Sequence, residues 1–257
     1  MTETRQAGTR ERALRIVAGL MAVSAVAFGI VTLVVGVIVP AQAPHAFHNV
    51  IVASLLIVLS APAVIEVARH PTTAIRPLVV LAVVGAAGLL TMIVAMTADP
   101  FTLPFVILVG VLWALERDRS GAIPTGRPSP LMLALVLVGS VPLVSYSVGQ
   151  ADLQRTDHAS EHAAFFHWVE TSFYAMAVLL LGLLAAIRPI AYRLAAWCAG
   201  VALAIMGAGS ILFDGYASAL PMPWGWVALI GGLLFIVVEE WEVRGRAGTS
   251  ASSTGGP

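Results

Sequence analysis

Lysine is absent from this 257-residue chain, although 14 arginines are present. Without a lysine amine no Schiff base to retinal or pyridoxal phosphate can form, which excludes rhodopsin-like photochemistry. Cysteine occurs once, as Cys198 inside an apolar run, so an intrachain disulfide and a thiolate-cluster metal site are excluded too. Charge is scarce: 11 % of residues are ionised acids or bases and 59 % are hydrophobic, against about 25 % and 45–50 % in ordinary soluble domains. A soluble enzyme of this length cannot cover its surface with so few charges. The 14 acidic residues cancel the arginines, which leaves no basic footprint for nucleic acid.

What the chain has instead is long apolar runs. Eight are spaced along it, at residues 16–39, 50–68, 77–97, 102–115, 131–148, 167–187, 191–213 and 223–238, each nearly free of charge. The first is too long for the apolar region of a signal peptide and is followed by further spans, so it reads as a retained helix. Placing the N-terminus in the cytoplasm puts every arginine but Arg155 on the cytoplasmic side, a bias that requires an even number of spans. The expectation is an all-α polytopic membrane bundle of eight transmembrane helices with both termini cytoplasmic, its partner the lipid bilayer. Arginine without lysine points to a GC-rich genome, hence a bacterial cytoplasmic (plasma) membrane.

Shifting the chain by 119 residues lays Phe47-His48 onto Phe166-His167, Arg69 onto Arg188 and Pro104 onto Pro223. Each half has four spans, with a histidine opening the second and an arginine closing it. The sequence therefore divides into a cytoplasmic N-terminal segment (1–12), a first four-helix membrane repeat (13–116), a cytoplasmic linker (117–130), a second, parallel repeat (131–243) and a disordered cytoplasmic tail (244–257). Pro62 and Pro142 are expected to kink their spans, and the Gly207/Gly209 and Gly231-Gly232 pairs to allow close helix packing. Glu239, Glu240 and Glu242, beside arginines, read as solvated.

Five of the six histidines, all but His70, fall at the outer face on this topology, together with Asp99, Asp152, Asp157, Glu161 and Asp214. Ionisable groups bordering hydrocarbon are costly and are kept where they pair, bind or react. On one continuous helix His158 and His162 share a face with Glu161 beside them, the spacing by which two imidazoles grip one ion. His167 lies about 140° round that helix, so its convergence requires a break within 163–166 or a ligand from another helix. His45 and His48 share a face, as do His167 and Glu170.

Together the first and third outer loops present His45, His48, Asp157, His158, Glu161, His162, His167 and Glu170 as metal ligands or as groups orienting them. That donor set suits copper, iron or zinc, for redox chemistry or metal handling. Met92, Met96 and Met222, near the same end, add soft donors of the kind that Cu(I) prefers. Haem is the other cofactor expected, with His48 and His167 as cofactor-binding axial ligands from equivalent helices. Other classes fit the same residues: a proton- or ion-coupled small-molecule transporter working through Glu170, Asp99 and Asp214, or an assembly or interaction subunit without metal. In the last, the polar groups, Arg155 among them, simply tether two loops. Nothing in the sequence decides whether the protein is an enzyme.

Overall fold

A computed structural model describes residues 2–116, 127–187 and 192–252. Most of the expected linker, with Arg117 and Arg119, lies outside those residues, as do Arg188 and the last five residues of the tail. Among the described residues the chain is helical throughout its ordered elements, with no strand. The helices are α1 (Thr2–Ile38), α2 (Ala46–Ser54), α3 (Ala61–Arg69), α4 (Ile75–Ala95), α5 (Thr102–Leu115), α6 (Pro130–Thr156), α7 (Glu161–Ala164), α8 (His167–Ile187), α9 (Arg193–Leu212) and α10 (Met222–Ser252). The N-terminal segment thus opens α1, and α10 runs on to Ser252.

Seven stretches are long and apolar enough to cross a membrane: Gly8–Gly36, Gln42–Arg69, Ile75–Ala95, Pro130–Thr156, His167–Ile187, Arg193–Leu212 and Met222–Gly245. The remaining expected span coincides with α5, apolar but only 14 residues long. Leu20, Val31, Val138, Val141 and Val237 face outward, which suits a lipid surrounding and no aqueous one. The interior is built on α8, flanked by α4, α6, α9 and the second span.

Local chemistry fixes the helix ends. Ser129 caps α6 by accepting from Met132 N, with Pro130 as the first helical residue. Asp99 caps α5: its carboxylate accepts from Phe101 N at 3.0 Å, from Thr102 N at 2.9 Å and from the Thr102 hydroxyl. Inside the bundle, polar side chains satisfy one another. Tyr174 Oη donates to Ala202 O at 2.7 Å and accepts from Ser54 Oγ at 2.7 Å, tying α2, α8 and α9 together. Ser172 Oγ donates to Ser147 O at 2.8 Å, lacing α8 to α6.

Of the glycines expected to permit close packing, Gly207 and Gly232 do so. A Cβ on Gly207 would fall 2.3 Å from Leu229 N, and one on Gly232 2.4 Å from Gly200 O, so α9 and α10 touch through their backbones. Gly209 and Gly231 make no such approach. At the other end of this pair the expected solvated carboxylates are engaged: Arg193 forms a two-pronged pair with Glu240, both distances 2.7 Å, and Glu239 is fully buried. Arginine's planar fork matches a carboxylate's two oxygens, which is why α9 captures Glu240 from the solvent.

The two prolines act differently. α6 continues through Pro142 without a break. Before Pro62, by contrast, residues Leu55–Ser60 form a π-helical turn, in which Ala61 N bonds the Leu56 carbonyl five residues back and Ser60 Oγ donates to Leu55 O at 2.9 Å. Proline has no N–H to give to residue 58, and the widened turn rearranges the ladder around that gap.

Candidate metal centre

Two helix starts meet at one end of the bundle. His45 ends a short 3-10 turn, Pro40–His45, and His48 sits in the first turn of α2; both are buried. Opposite them, α6 stops at Thr156, where the Asp157 carboxylate accepts from Ala159 N, Ser160 N and the Ser160 hydroxyl and so folds the chain back. Ser160 then caps α7, accepting from Ala163 N. Phe166 takes a left-handed conformation (φ 63), and α8 begins at His167. This is the break within 163–166 that the helical wheel requires, and it swings His167 onto the side of His162.

The result is four imidazoles in one cluster. His45 lies 4.6 Å from His162 and 5.0 Å from His167 between ring centroids, and His48 lies 4.8 Å and 4.9 Å from the same two rings. One ring nitrogen from each of His45, His48 and His162 falls within 4.8 Å of the others. Nitrogens bound to one tetrahedral ion at about 2.0–2.1 Å stand roughly 3.3 Å apart, so small ring rotations complete such a site. The indole of Trp168 stacks on His162 at 5.0 Å and meets His48 edge-on at 5.7 Å.

Each of the three rings leaves one nitrogen free, and His45 and His48 use the other. His45 Nε2 donates to Glu161 Oε2 at 3.4 Å. His48 Nε2 donates to Ser218 Oγ at 3.0 Å, and Ser218 in turn donates to Gln150 Oε1 at 2.5 Å, so the serine can only accept from the imidazole. His162 has the Pro44 carbonyl near its ring, which favours a proton there. Left behind, buried and without a hydrogen-bond partner, are His45 Nδ1, His48 Nδ1 and His162 Nε2. A neutral imidazole whose proton is held on one nitrogen presents a lone pair on the other, which is the state a metal binds. His167 follows the pattern: its Nδ1 donates to Glu170 Oε2 at 3.3 Å on the next turn of α8.

His162, in the loop, has its pKa lowered by burial first and then by His45 and His167. Its ring is thereby favoured in the uncharged form that ligation needs.

The other sequence-nominated residues fall into different places. Glu161 and Glu170 orient His45 and His167 as described. Asp157 holds the loop and accepts from Trp168 Nε1 at 3.3 Å, and the Ser160 hydroxyl, more than any other group, lowers its pKa. His158 is exposed on that same loop, because the helix that would have carried it beside His162 ends at Thr156. Met92 accepts a hydrogen bond from Asp99 N through its sulfur at 3.4 Å, while Met96 and Met222 are exposed. Arg155 pairs with Asp152 at 2.5 Å.

Ser218, Gln150, Pro44 and Trp168 were not nominated as parts of this centre. Ser218 comes from the α9–α10 connection with a left-handed backbone (φ 64). A positive φ on a non-glycine residue marks a strained, over-determined position, and it is invisible in a one-dimensional pattern. Comparison with family models, characterised proteins and solved structures returns no match for this chain.

Proposed function

We infer that this is a multi-pass protein of a bacterial cytoplasmic membrane that holds a transition-metal ion at its extracytoplasmic end, for redox chemistry or metal handling. The ligands are His45 Nδ1, His48 Nδ1 and His162 Nε2, with His167 next to them as the fourth imidazole. One observation carries the reading: three buried ring nitrogens, one per histidine, have no partner, while the opposite nitrogen of His45 and of His48 is anchored. Buried polar atoms are almost always satisfied, and three orphans within reach of one point call for a common cation. An all-imidazole set suits zinc, copper or iron, and Cu(II) binds such sites most tightly among the divalent ions.

A bare ion fits better than haem. His48 and His167 stack with centroids 4.9 Å apart and planes 20° apart, which leaves no slot for a macrocycle between them. Coordinating nitrogens on opposite sides of an iron need about 4 Å between them, with the porphyrin in the gap. The transport reading is weaker on geometry: Asp99 is taken up in capping α5 and Asp214 is exposed, which leaves Glu170 without a partner carboxylate free to exchange.

Eight spans in two parallel four-helix repeats, with both termini cytoplasmic, complete the proposal. Supporting it, α4 packs on α8 and α9 packs on α2, the exchange of neighbours that a two-fold along the membrane normal produces. The deciding experiment is elemental analysis and an absorption spectrum of the protein purified in mild detergent, beside the His45→Ala/His48→Ala/His162→Ala variant. One equivalent of copper, zinc or iron, lost in the variant, is the expected result. Folded wild type that neither carries metal nor takes it up on addition overturns the reading.

A further inference from the structure

Behind His167 the bundle holds a cavity of about 210 Å³, enclosed by α1, the second span, α5 and α8. Five of the chain's nine phenylalanines line it: Phe28, Phe101, Phe105, Phe165 and Phe173. Phe173 is buried, whereas Phe28, Phe101 and Phe165 are exposed, so the aromatic wall reaches from the interior to a mouth on the bundle's outside. A dry apolar cavity of about 150 Å³ is enough for benzene, so this one takes a six-membered ring with substituents.

Part of the cavity's lining is polar. Asn49, the only asparagine in the chain, lines it, and its Nδ2 is buried with no hydrogen-bond partner. A Cβ on Gly36 would fall 2.4 Å from Asn49 Cβ, so a glycine on α1 makes the space in which this amide sits. Glu170 and His167 face the same cavity, joined to each other through Oε2 and Nδ1. The Asp99 carboxylate, also at the wall, is taken up by the α5 cap. The π turn Leu55–Ser60 forms part of the lining as well, and such turns gather at functional sites.

The lining therefore offers a donor that lacks an acceptor and a carboxylate that accepts. A hydroxyl answers both, its oxygen accepting from Asn49 Nδ2 and its proton going to Glu170. We propose that this cavity binds a hydroxylated aromatic ring, of the phenol or quinol class, ring among the phenylalanines and hydroxyl against Asn49 and Glu170. This goes beyond the metal reading and does not rest on it, although His167 borders both sites.

The test is equilibrium dialysis of the full-length protein in mild detergent, stripped of metal by a chelator, against hydroquinone, decyl-hydroquinone and p-xylene, with empty micelles as the blank. Wild type is expected to bind one hydroquinone per chain, at least tenfold more tightly than p-xylene, which has the same shape and no hydroxyl. Asn49→Leu should weaken hydroquinone at least tenfold and erase the preference, and Val52→Phe, which fills the cavity, should reduce binding to the blank. His158→Ala, on the exposed loop, should leave it unchanged, and binding by the metal-stripped protein separates this site from the metal ligands. Tighter binding of the decyl form assigns a membrane-dissolved quinol, and equal binding a soluble phenol.

No saturable binding by wild type, equal affinity for p-xylene, or binding that survives in both cavity variants overturns the proposal. If both variants fail to fold, the contrast between hydroquinone and p-xylene on wild type decides alone.

Discussion

His48 and His167 stack face to face, 4.9 Å apart, and they are the two histidines that a shift of 119 residues superposes. Each lies near the start of a membrane-length stretch at the same end of the bundle, His48 in Gln42–Arg69 and His167 in His167–Ile187. The cluster is thereby assembled across the contact between the two halves of the chain, with His45 and His162 as the members that the shift does not pair. Its tightness depends on how the halves dock.

Single substitutions should separate ligands from neighbours. His45→Ala, His48→Ala and His162→Ala are each expected to lower metal affinity by about 100-fold or more, since a vacated ligand position costs at least as much as a lost outer-shell partner. His158→Ala, on the exposed loop, should stay within twofold of wild type. Competition against a chromogenic chelator measures all four, and a loss at His158 matching that at His162 would reject this ligand set.

Ser218→Ala tests the anchoring of the imidazoles. Without its acceptor the His48 ring is free to rotate and to change tautomer, and affinity should fall about 10–100-fold while one equivalent of metal still binds at saturation. Gln150→Leu should act in the same direction through Ser218. Unchanged affinity in both would remove the serine from the design.

Acid should release the metal late. Ligation competes with protonation, and the pKa of His162 lies below its ordinary 6.5 because the ring is buried beside His45 and His167. Occupancy is expected to persist as pH falls past 6.5 and to drop only as pH passes through the lowered value. The sign is the same for the metal-free fold: the unfolded chain takes up the proton first, so stability declines below the ordinary histidine value. Asp157 adds a second, more acidic step. Its carboxylate, held below the usual range chiefly by the Ser160 hydroxyl, stabilises the loop above the usual carboxylate pKa and loses that effect as pH falls through the lowered one. Trp168 emission, taken as wild type minus Trp168→Phe, follows both steps, and a release midpoint above 6.5 would contradict the burial argument.

Gly207→Leu should destabilise the bundle by about 1–3 kcal/mol or more, because the new side chain meets the Leu229 backbone. Gly231→Leu, where a Cβ finds nothing closer than 3.9 Å, should cost far less. Thermal unfolding in detergent ranks the two, and equal losses would show that the α9–α10 contact is not governed by backbone approach.

The helical architecture was legible because a bilayer demands long apolar runs and leaves almost no freedom in their length. So was most of the cluster: His45, His48, His162 and His167 stood out as ionisable groups where hydrocarbon ends. His158 misled because the wheel assumes an unbroken helix, whereas Asp157 and Ser160 had the means to end one. For Asp157 the sequence admits a ligand or a group orienting the imidazoles, and its bonds to backbone N–H groups lie at a range of two or three residues that ligand spacing ignores. Ser218 left no trace, since a serine in a loop becomes a partner of His48 only through a contact 170 residues away in sequence.

The π turn at Leu55–Ser60 carries one residue more than an α-helix needs there. Such a turn absorbs its extra residue locally and leaves the helix on either side facing as in an unbroken α-helix one residue shorter, so losing a single codon there would let the span close into ordinary helix with His45 and His48 still on their face relative to α3, and would remove the widened turn from the cavity wall. The shortened chain would still be apolar enough to insert and long enough to span. A three-base deletion, silent to any reading of hydropathy, is thus an inherited change that would keep the histidine cluster and reshape the cavity beside it.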